Sequence, residues 1–550
     1  MNSLILALSA FVLFTLGYRF YGRKIEKLWE VNPSRKTPAV EQYDGIDYVP
    51  ARHWTVLFGH HFASIAGAGP IIGPVIAAMV WGWLPAALWL IVGSIFLGGV
   101  HDLSAFMVSL RHRGKSVADV AQSVMGFRAK MIFAMFVWLA LVLVIAVFAA
   151  VAARTLSTTP EVVIPTFGVV GVAVLVGLLM YRWNVTQVLA TIIGMTLLFG
   201  LILLGYFVPI SLGPNAAIIW TVILLLYAFV ASIMPVNILL QPRDYLVSVV
   251  LFFGLIFGYA GVVITHPPMH APAFITFHGD QGYLWPMMCV IIACGAISGF
   301  HSLVAGGTTS KQLANERDAK KVGYGAMLLE GVLSVLALIA VAGGLYWSEN
   351  EGVPGLMYPR LMEGGNWIVT FGTGYGQLVK PFLGVLGMFV GIMMLKTFVM
   401  TTLDTATRIA RYLAEELFGE GLKIKPLRNK YVSTSVIFVI ALVLALGSWQ
   451  AIWPIFGASN QLIAALVLIV ISTYLLSRGK HAAYTLIPAI FMLITTMAAL
   501  VYKSLDFIRG GKALLAVVGL LLFVLALFIC YEAARTYGRL KKRQTGESPV

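Results

Sequence analysis

The residues of this chain that could do chemistry are a few ionisable side chains inside long apolar segments. Charged groups are costly inside a bilayer, and those found there usually serve transport, proton transfer or ion binding. Asp102, Glu330 and Asp404 are candidates for a coupling proton, because a carboxylate in low dielectric can cycle through its neutral form. Lys396 could meet an anionic substrate or neutralise a carboxylate. For Glu330 and Asp404, near the segment ends, a structural ion pair is the alternative.

Histidines accompany these carboxylates. His60 and His61 precede a glycine-rich stretch, and His101 adjoins Asp102. His301 lies in a later apolar segment. No thiolate and no pair of ligands one helical turn apart joins them, so the pattern does not favour a metal or haem site. A proton relay that uses His61 and His101, or a satisfied polar contact, is favoured instead. We therefore predict no metal and no cofactor.

Two glycine-rich stretches interrupt the segments that hold these histidines. The first is GHHFASIAGAGPIIGP at 59–74, and the second is SGFHSLVAGGTTSKQ at 298–312. Proline removes a backbone donor and glycine tolerates an unwound backbone, so we predict a broken helix at each. Unwound backbone can bind a carboxylate or an ion, although a kink that serves helix packing is the alternative. The predicted substrate-binding residues are Ser64, Gly67, Gly69, His301, Ser302, Gly306, Gly307, Thr308, Thr309 and Lys396.

The two stretches share the pattern F-x-S-x-x-x-x-G and run in opposite directions in the topology predicted below. Paired interrupted helices of opposite orientation indicate an inverted-repeat transporter whose binding site lies at the breaks. We predict one transmembrane transporter domain over 1–550. Within it, an extra helix at 1–20 precedes a first helical repeat at 55–265 and a second at 286–533. A basic cytoplasmic tail follows at 534–550.

The elements that hold these residues are predicted to be transmembrane helices. Of 550 residues 59% are hydrophobic and 11% are charged, with a mean hydropathy of +0.90. A soluble protein has about 25% charged residues, and about 20 apolar residues cross a bilayer. We predict an all-α polytopic membrane protein of about fifteen helices, in which 449–459 could be re-entrant. The predicted spans are 2–20, 55–80, 84–109, 131–152, 161–180, 187–208, 216–236, 246–265, 286–310, 323–346, 381–403, 433–448, 460–476, 484–501 and 513–533.

The basic residues set an orientation for these helices. If the N-terminus is outside, 31 of the 38 Lys and Arg residues fall in cytoplasmic loops and 6 fall outside, with Lys396 inside a span. Cytoplasmic loops are enriched in Lys and Arg, so we predict an external N-terminus and a cytoplasmic C-terminus. Because the net charge of +15 is spread over short loops, it does not indicate a nucleic-acid partner.

Six segments, in chain order, resemble the carbon starvation protein A family. They are HHFASIAGAGPIIGP, GGVHD, MPVNILLQPRDYL, SGFHSLVAGGTTSKQ, TTLDTATRIARY and WPIFGASNQL. The resemblance implies a bacterial or archaeal inner-membrane protein that takes up peptides under carbon starvation. It also implies that pyruvate, driven by protons, is a possible substrate. The implied fold is that of the amino acid–polyamine–cation superfamily, with two inverted repeats and broken first and sixth helices.

Together these features predict a secondary active transporter of a small carboxylate, with pyruvate the leading candidate, or of short peptides. The predicted partners are that substrate, a coupling H+ or Na+, and the lipid bilayer. A sodium-coupled symporter or an uncoupled channel or facilitator is the alternative, because Ser64, Ser302, Thr308 and Thr309 would also suit sodium. A membrane-embedded enzyme is less favoured, since no catalytic constellation stands out.

Overall fold

The computed structural model describes residues 2–544 apart from 46–47, 52, 235, 349–352, 354, 364–365 and 448. The regular secondary structure in the first half of the described chain is helical. Its helices are α1 (Ser3–Leu16), α2 (Gly22–Leu28), α3 (Pro38–Glu41), α4 (Trp54–Ile65), α5 (Gly69–Val80), α6 (Trp83–Gly93), α7 (Gly99–Arg111), α8 (Val117–Met125), α9 (Phe127–Thr158), α10 (Val163–Tyr181), α11 (Gln187–Phe207), α12 (Ala216–Ile233) and α13 (Val236–Thr265). Single π-helical turns join α1 to α2 and α6 to α7, so each pair forms one span.

The second half begins with a short antiparallel hairpin, β1 (His278–Gly279) and β2 (Gly282–Tyr283). A π-helical turn, Leu284–Met288, leads from it into the next helices. These are α14 (Cys289–Ile291), α15 (Gly299–Gly307), α16 (Ala319–Ala342), α17 (Tyr358–Met362), α18 (Trp367–Leu383), α19 (Leu386–Ala414), α20 (Lys430–Ala445), α21 (Trp449–Ser477), α22 (Ala483–Arg509) and α23 (Ala513–Gln544).

Twelve helices in the described part are long and apolar enough to cross a membrane, or thirteen when the bent pair α4–α5 counts as one span. The predicted count of about fifteen is therefore too high. The two remaining predicted segments, 286–310 and 433–448, correspond to an interrupted segment and to the 16-residue helix α20. A helix of 16 residues is about 24 Å long, shorter than the ~30 Å hydrocarbon layer.

The first predicted break is present. α4 and α5 are bent by 46° at the non-helical residues 66–68. Local sequence explains where the helix resumes, because Pro70 stands in the first turn of α5. Proline is favoured there, since its missing N–H belongs to the groups that have no partner within the helix. Gly67 lies in this break, and Gly69 starts α5.

The second break lies upstream of its predicted place. The chain is non-helical at 292–298, between α14 and α15. The predicted break residues Gly306 and Gly307 instead end α15, and Thr308 follows as its C-cap. Glycine stops helices at their C-termini as readily as it breaks them inside, and the sequence pattern does not separate the two roles.

The structure decides the question that the sequence leaves open for 449–459. These residues are the first part of α21, one continuous helix that contains Pro454. α21 is the most deeply buried of the spanning helices, followed by α16, α19 and α9. α1, α11 and α23 expose most of their apolar side chains, as helices that face lipid do. The ionisable residues singled out in the sequence therefore lie in or beside the buried centre.

Candidate functional site

The two breaks lie against each other in the centre of the bundle. A Cβ atom added to Gly69 would lie 2.4 Å from the Sγ of Cys294, which is in the second break. A Cβ added to Gly73 would lie 2.6 Å from the carbonyl oxygen of Ile291. These are distances that real Cβ atoms do not adopt, so glycine is required for this close approach. The sequence predicts that the breaks act together, and the structure places them in contact.

Three elements around the second break carry a chain of buried titratable groups. Asp102, on α7, lies between two imidazoles: its Oδ1 is 2.7 Å from Nδ1 of His101, and its Oδ2 is 2.7 Å from Nδ1 of His301. The other ring nitrogen of His301, Nε2, is 3.0 Å from Oε2 of Glu330 on α16. All four side chains are buried. We call Asp102, His101, His301 and Glu330 the relay.

The donor and acceptor capacities of the relay fix how it can hold protons. Because the Asp102 carboxylate accepts hydrogen bonds from two imidazoles, His101 and His301 each carry a proton on Nδ1. Nε2 of His301 and Oε2 of Glu330 lie at ion-pair distance, although neither atom has a hydrogen bond of ordinary geometry in the described part of the chain. Either group can hold a proton that is shared across this contact. A second proton can enter this contact without breaking a bond to Asp102. The relay can therefore bind and release a proton while its geometry is kept.

The relay lies directly beside the second break. A Cβ on Gly295 would lie 2.2 Å from Oγ of Ser334, one turn beyond Glu330 on α16. A Cβ on Gly98 would lie 2.4 Å from the carbonyl oxygen of Ala296, close to the start of α7. The unwound residues 292–298 thus pack between the two helices that carry the carboxylates. Any rearrangement of this break would change the spacing of the relay.

Asn460, on α21, satisfies the polar groups that the second break leaves free. Its Oδ1 accepts a hydrogen bond from the backbone N–H of Phe300 at 3.0 Å. Its Nδ2 donates to Oγ of Ser298 at 3.0 Å and to Sγ of Cys294 at 3.3 Å. Sequence analysis does not assign Asn460 to the breaks, because the contact joins residues far apart in the chain. The signal in the sequence is an uncharged amide inside an apolar helix.

Replacing Asn460 with leucine is expected to destabilise the protein, although leucine is the more hydrophobic side chain. Leucine is close to asparagine in size but leaves the N–H of Phe300 and the hydroxyl of Ser298 without a partner. A buried polar group left in this way costs about 1–3 kcal/mol. Thermal unfolding in detergent should therefore show a lower Tm for Asn460→Leu. Asn215→Leu, at an exposed site, is the matched control and should keep the wild-type Tm; equal Tm values for both variants would contradict the capping role.

Lys396 is a buried amine on α19. Its side chain is 1% exposed, and among the described residues its Nζ has no hydrogen-bond or ion-pair partner. The same helix reaches the first break further along, where a Cβ on Gly67 would lie 3.1 Å from Oγ1 of Thr402. An isolated buried ammonium is costly, and such groups normally bind a counter-charge. Lys396 is thus a buried cation for which the described residues supply no counter-charge.

Asp404, on the same helix, has a different environment. Its carboxylate accepts from the guanidinium of Arg243 on α13, including Nη2 to Oδ1 at 3.2 Å, and from the Tyr227 hydroxyl at 3.1 Å. Arg243 also donates to Oδ1 of Asp244 at 2.9 Å. Arg243 and both carboxylates are buried. The structural ion pair that the sequence leaves open for Asp404 is present, whereas Glu330 is part of the relay.

The cluster of Arg243, Asp244 and Asp404 predicts that substitutions of Arg243 and of Asp404 lower the stability by unequal amounts. Arg243→Gln leaves Asp244 and Asp404 buried without their cation, which is expected to cost about 3–5 kcal/mol. Asp404→Asn instead leaves the neutral pair Arg243–Asp244 and is expected to cost clearly less. Tm values in detergent, measured side by side, check this ranking. A larger loss for Asp404→Asn would mean that Asp404 is held by contacts other than Arg243.

Of the other predicted site residues, some link two elements of the bundle and the rest bond within their own helix or lie at the end of α15. Nδ1 of His61 is 2.8 Å from Oγ1 of Thr309, which joins α4 to the end of α15, and both residues are buried. Ser64, Ser302 and Thr308 donate their hydroxyl hydrogens to carbonyls of their own helices. Gly306 lies near Lys115 and Ser116, at the end of the bundle away from the second break. Gly307 adjoins open space.

A column of aromatic rings begins at the first break. Phe148, on α9, lies against Gly67 and contacts Phe456 with ring centroids 5.5 Å apart. Phe456 contacts Trp453 at 5.4 Å, and Trp453 contacts Trp367 at 5.5 Å. This column ends at a small cavity that is lined in part by Arg154, Thr155 and Trp367. The rings therefore lie between this cavity and the first break.

Metal binding finds no support in the described part of the chain. No group of three or more His, Cys, Asp or Glu side chains there is arranged to hold a metal ion. His60, next to His61, faces the Arg243 cluster instead, with its Nδ1 3.6 Å from Oδ2 of Asp244.

Comparison with known proteins identifies relatives along almost the whole chain. The family model described as "Carbon starvation protein CstA" matches residues 2–352 and 361–499. The "Pyruvate/proton symporter BtsT" of Escherichia coli K12 is 32% identical, over 91% of this chain and 82% of that protein. The "Peptide transporter CstA" of Bacillus subtilis 168 is 32% identical, over 98% of each chain. That of Campylobacter jejuni is 30% identical, over 93% of this chain and 82% of that protein.

A solved structure shows the fold. The Eremococcus coleocola manganese transporter, in complex with an aromatic bis-isothiourea substituted compound, superposes with a TM-score of 0.53. The match covers 90% of this chain and 99% of that chain, at 12% sequence identity. Identity this low shows the fold alone. It confirms the predicted all-α transporter fold with broken helices.

Proposed function

This chain belongs to the carbon starvation protein CstA family, and on that premise we propose that it is a proton-coupled symporter. Its substrate is a small carboxylate, with pyruvate the first candidate, or a short peptide. The proposal places the chain in the cytoplasmic membrane of a bacterium or archaeon, with an external N-terminus and a cytoplasmic C-terminus. It retains the two predicted repeats, 55–265 and 286–533. Uptake would serve cells whose carbon supply is exhausted.

One observation carries the proposal: the relay is buried against the contact between the two broken helices. Unwound backbone in a membrane protein is buried against other protein groups, lines a cavity or binds a ligand, because lipid cannot satisfy it. The proton held between His301 and Glu330 therefore lies next to the part of the fold that is built to rearrange. This arrangement favours a proton over sodium as the coupling ion, since three kinds of titratable group surround the break.

Charge balance gives a reason for coupling. A substrate carboxylate brings one negative charge, which the ammonium of Lys396 would compensate. A proton entering the contact between His301 and Glu330 brings one positive charge. Loading both together leaves the net charge of the buried interior unchanged, whereas loading either alone changes it by one. The positive charge of the bound proton and the negative charge of the substrate attract each other in the low dielectric of the membrane interior, so each favours binding of the other.

The proposed cycle needs both ends of the site to open in turn. On one side the aromatic column between Phe148 and Trp367 must part. On the other side the link between His61 and Thr309 must open, because it joins α4 to the end of α15. Rocking of broken helices against a fixed scaffold is the usual form of such a cycle. The deeply buried helices α9 and α16 are well suited to be parts of that scaffold.

Uptake of labelled pyruvate into proteoliposomes, with and without an inward proton gradient, tests the proposal. We expect accumulation above equilibrium that collapses with a protonophore and does not require sodium. Uptake of a labelled dipeptide with no uptake of pyruvate would keep the proton-coupled mechanism and change the substrate. Equilibration of pyruvate without any gradient dependence would overturn the symporter and leave a facilitator.

A further inference from the structure

A polar cavity of about 290 Å3 lies apart from the breaks and the relay. It opens where three membrane-crossing segments end, at Leu28 of α2, Arg111 of α7 and Ser477 of α21. Helices end where the hydrocarbon layer ends, so the cavity lies at the boundary of the membrane. Its lining residues are Trp29, Glu30, Arg35, Arg111, Tyr474, Leu475, Arg478 and Lys480.

The cavity carries more positive than negative charge. The guanidinium of Arg111 contacts both carboxylate oxygens of Glu316, whose side chain is buried. Arg35 reaches the same carboxylate at 3.5 Å. Lys480 pairs with Glu30 at 2.9 Å. The cavity thus has four cations, those of Arg35, Arg111, Arg478 and Lys480, against the two carboxylates of Glu30 and Glu316. It keeps an excess of two positive charges.

Arg478 is the cation whose charge is least compensated. No carboxylate of the described residues lies within ion-pair distance of it, and its guanidinium lies 5.6 Å from the centre of the Tyr474 ring. Arg35 is half-exposed and is the outermost of the cations around Glu316. Both guanidinium groups are therefore open to a ligand that enters from the membrane boundary.

The walls of the cavity are held in place before any ligand binds. Trp29 stacks on Tyr474 with ring centroids 6.1 Å apart and an angle of 11°. Its Nε1 donates to Oγ of Ser104 at 3.1 Å, inside the bundle. Nη2 of Arg111 donates to the carbonyl oxygen of Trp29 at 3.1 Å. Pre-organised donors lower the entropy cost of binding.

We propose that this cavity binds a phosphate-bearing anion. A phosphate group carries between one and two negative charges and accepts paired hydrogen bonds from guanidinium, which suits the excess charge and the two open arginines. A lipid headgroup at the membrane boundary and a soluble phosphate compound share this chemistry. This assignment goes beyond the symporter and does not depend on it.

Occupancy of the cavity would brace the helices that carry the relay. Arg111 ends α7, which holds Asp102, and Glu316 stands in the helical turn that leads into α16, which holds Glu330. A phosphate bound to Arg35 and Arg478 would tie α21 and the residues after α2 to this pair. The ligand would therefore stabilise the arrangement in which the relay is assembled.

Thermal unfolding of the full-length protein in a neutral detergent tests the site. Short-chain phosphatidylglycerol and short-chain phosphatidylcholine form one arm. Glycerol phosphate and sodium chloride at equal ionic strength form the other. We expect a saturable rise in Tm with phosphatidylglycerol, with glycerol phosphate or with both, and none with phosphatidylcholine or chloride. A response to phosphatidylglycerol alone assigns the site to lipid, and a response to glycerol phosphate assigns it to phosphate from either source.

The double variant Arg35→Gln/Arg478→Gln should need at least a tenfold higher ligand concentration for the same rise in Tm. Its Tm without ligand should stay close to that of the wild type, because the pair of Arg35 with Glu316 is half-exposed and Arg478 has no ion pair among the described residues. Arg182→Gln removes an exposed arginine at the end of α10 and should leave the response intact. An unchanged response in the double variant, or no response to any phosphate anion in the wild type, would overturn the assignment.

Discussion

Asp102→Asn is expected to abolish proton-driven accumulation of substrate, by at least about 100-fold, the usual scale for the loss of a positioned acid or base. An amide oxygen can accept from one imidazole, but the amide nitrogen is a donor and cannot accept from the other. One of His101 and His301 must then turn or change tautomer. If His301 turns, its Nε2 leaves Glu330. If it changes tautomer, its proton is fixed on Nε2 and the ring cannot take a second proton without losing the bond from the amide. In either case His301 no longer exchanges a proton with Glu330, and the relay loses its function.

Exchange of labelled for unlabelled substrate across the membrane distinguishes lost coupling from lost folding. Exchange needs binding and opening of the site but no net proton movement, so Asp102→Asn should retain it. The stability cost should be small, because the remaining pair of His301 and Glu330 can be neutral. Asp119→Asn is the matched control: its carboxylate lies on α8 and pairs with Lys130 at 3.0 Å, near the surface. Such pairs are worth at most about 1 kcal/mol, so accumulation should be retained.

Two outcomes would contradict this role of Asp102. Full proton-driven accumulation by Asp102→Asn would remove it from the coupling path. Loss of exchange as well as accumulation, at an unchanged Tm, would place it in substrate binding. A parallel measurement on Glu330→Gln is informative, because glutamine cannot take the proton from Nε2 of His301. We expect it to lose accumulation and retain exchange in the same way.

Sequence patterns locate the first break correctly because its signal is local. Gly67 and Gly69 stand beside Pro70, and proline can occupy only the start of the following helix without loss. The signal that identifies a membrane protein is equally local, since runs of about 20 apolar residues suffice to predict membrane-crossing helices. The ionisable residues inside these runs are few, so all four members of the relay are among the predicted site residues, although His301 is predicted there as a substrate-binding residue.

The features that sequence analysis misses depend on contacts between distant segments. The second break has no proline, and its only glycine, Gly295, is less conspicuous than the pair Gly306–Gly307 that ends α15. What permits the unwound backbone is Asn460, from a helix far along the chain. Asp404 likewise resembles a coupling carboxylate until its contact with Arg243 is seen. Periodicity and spacing do not encode which helices become neighbours.

Lys396→Met is expected to stabilise the protein and to impair transport. The substrate-free protein holds the Lys396 amine in its interior without a partner among the described residues, and this arrangement opposes folding. Methionine has a similar length and needs no counter-charge, so the free energy of unfolding should rise by about 1–4 kcal/mol. In the same variant a substrate carboxylate loses its compensating cation. A buried charge pair of this kind is worth about 2–5 kcal/mol, so the KM for pyruvate should rise at least about 30-fold.

The expected gain in stability and loss of transport make Lys396→Met decisive, because a misfolded protein would lose stability and transport together. Tm in detergent and uptake kinetics in proteoliposomes supply the two measurements. Lys503→Met is the matched control, since Lys503 pairs with Asp506 at 3.3 Å and should gain no stability when the charge is removed. A lower Tm for Lys396→Met would show that the amine has a stabilising partner. A higher Tm with an unchanged KM would show that Lys396 does not bind the substrate, and the charge balance proposed for coupling would fail with it.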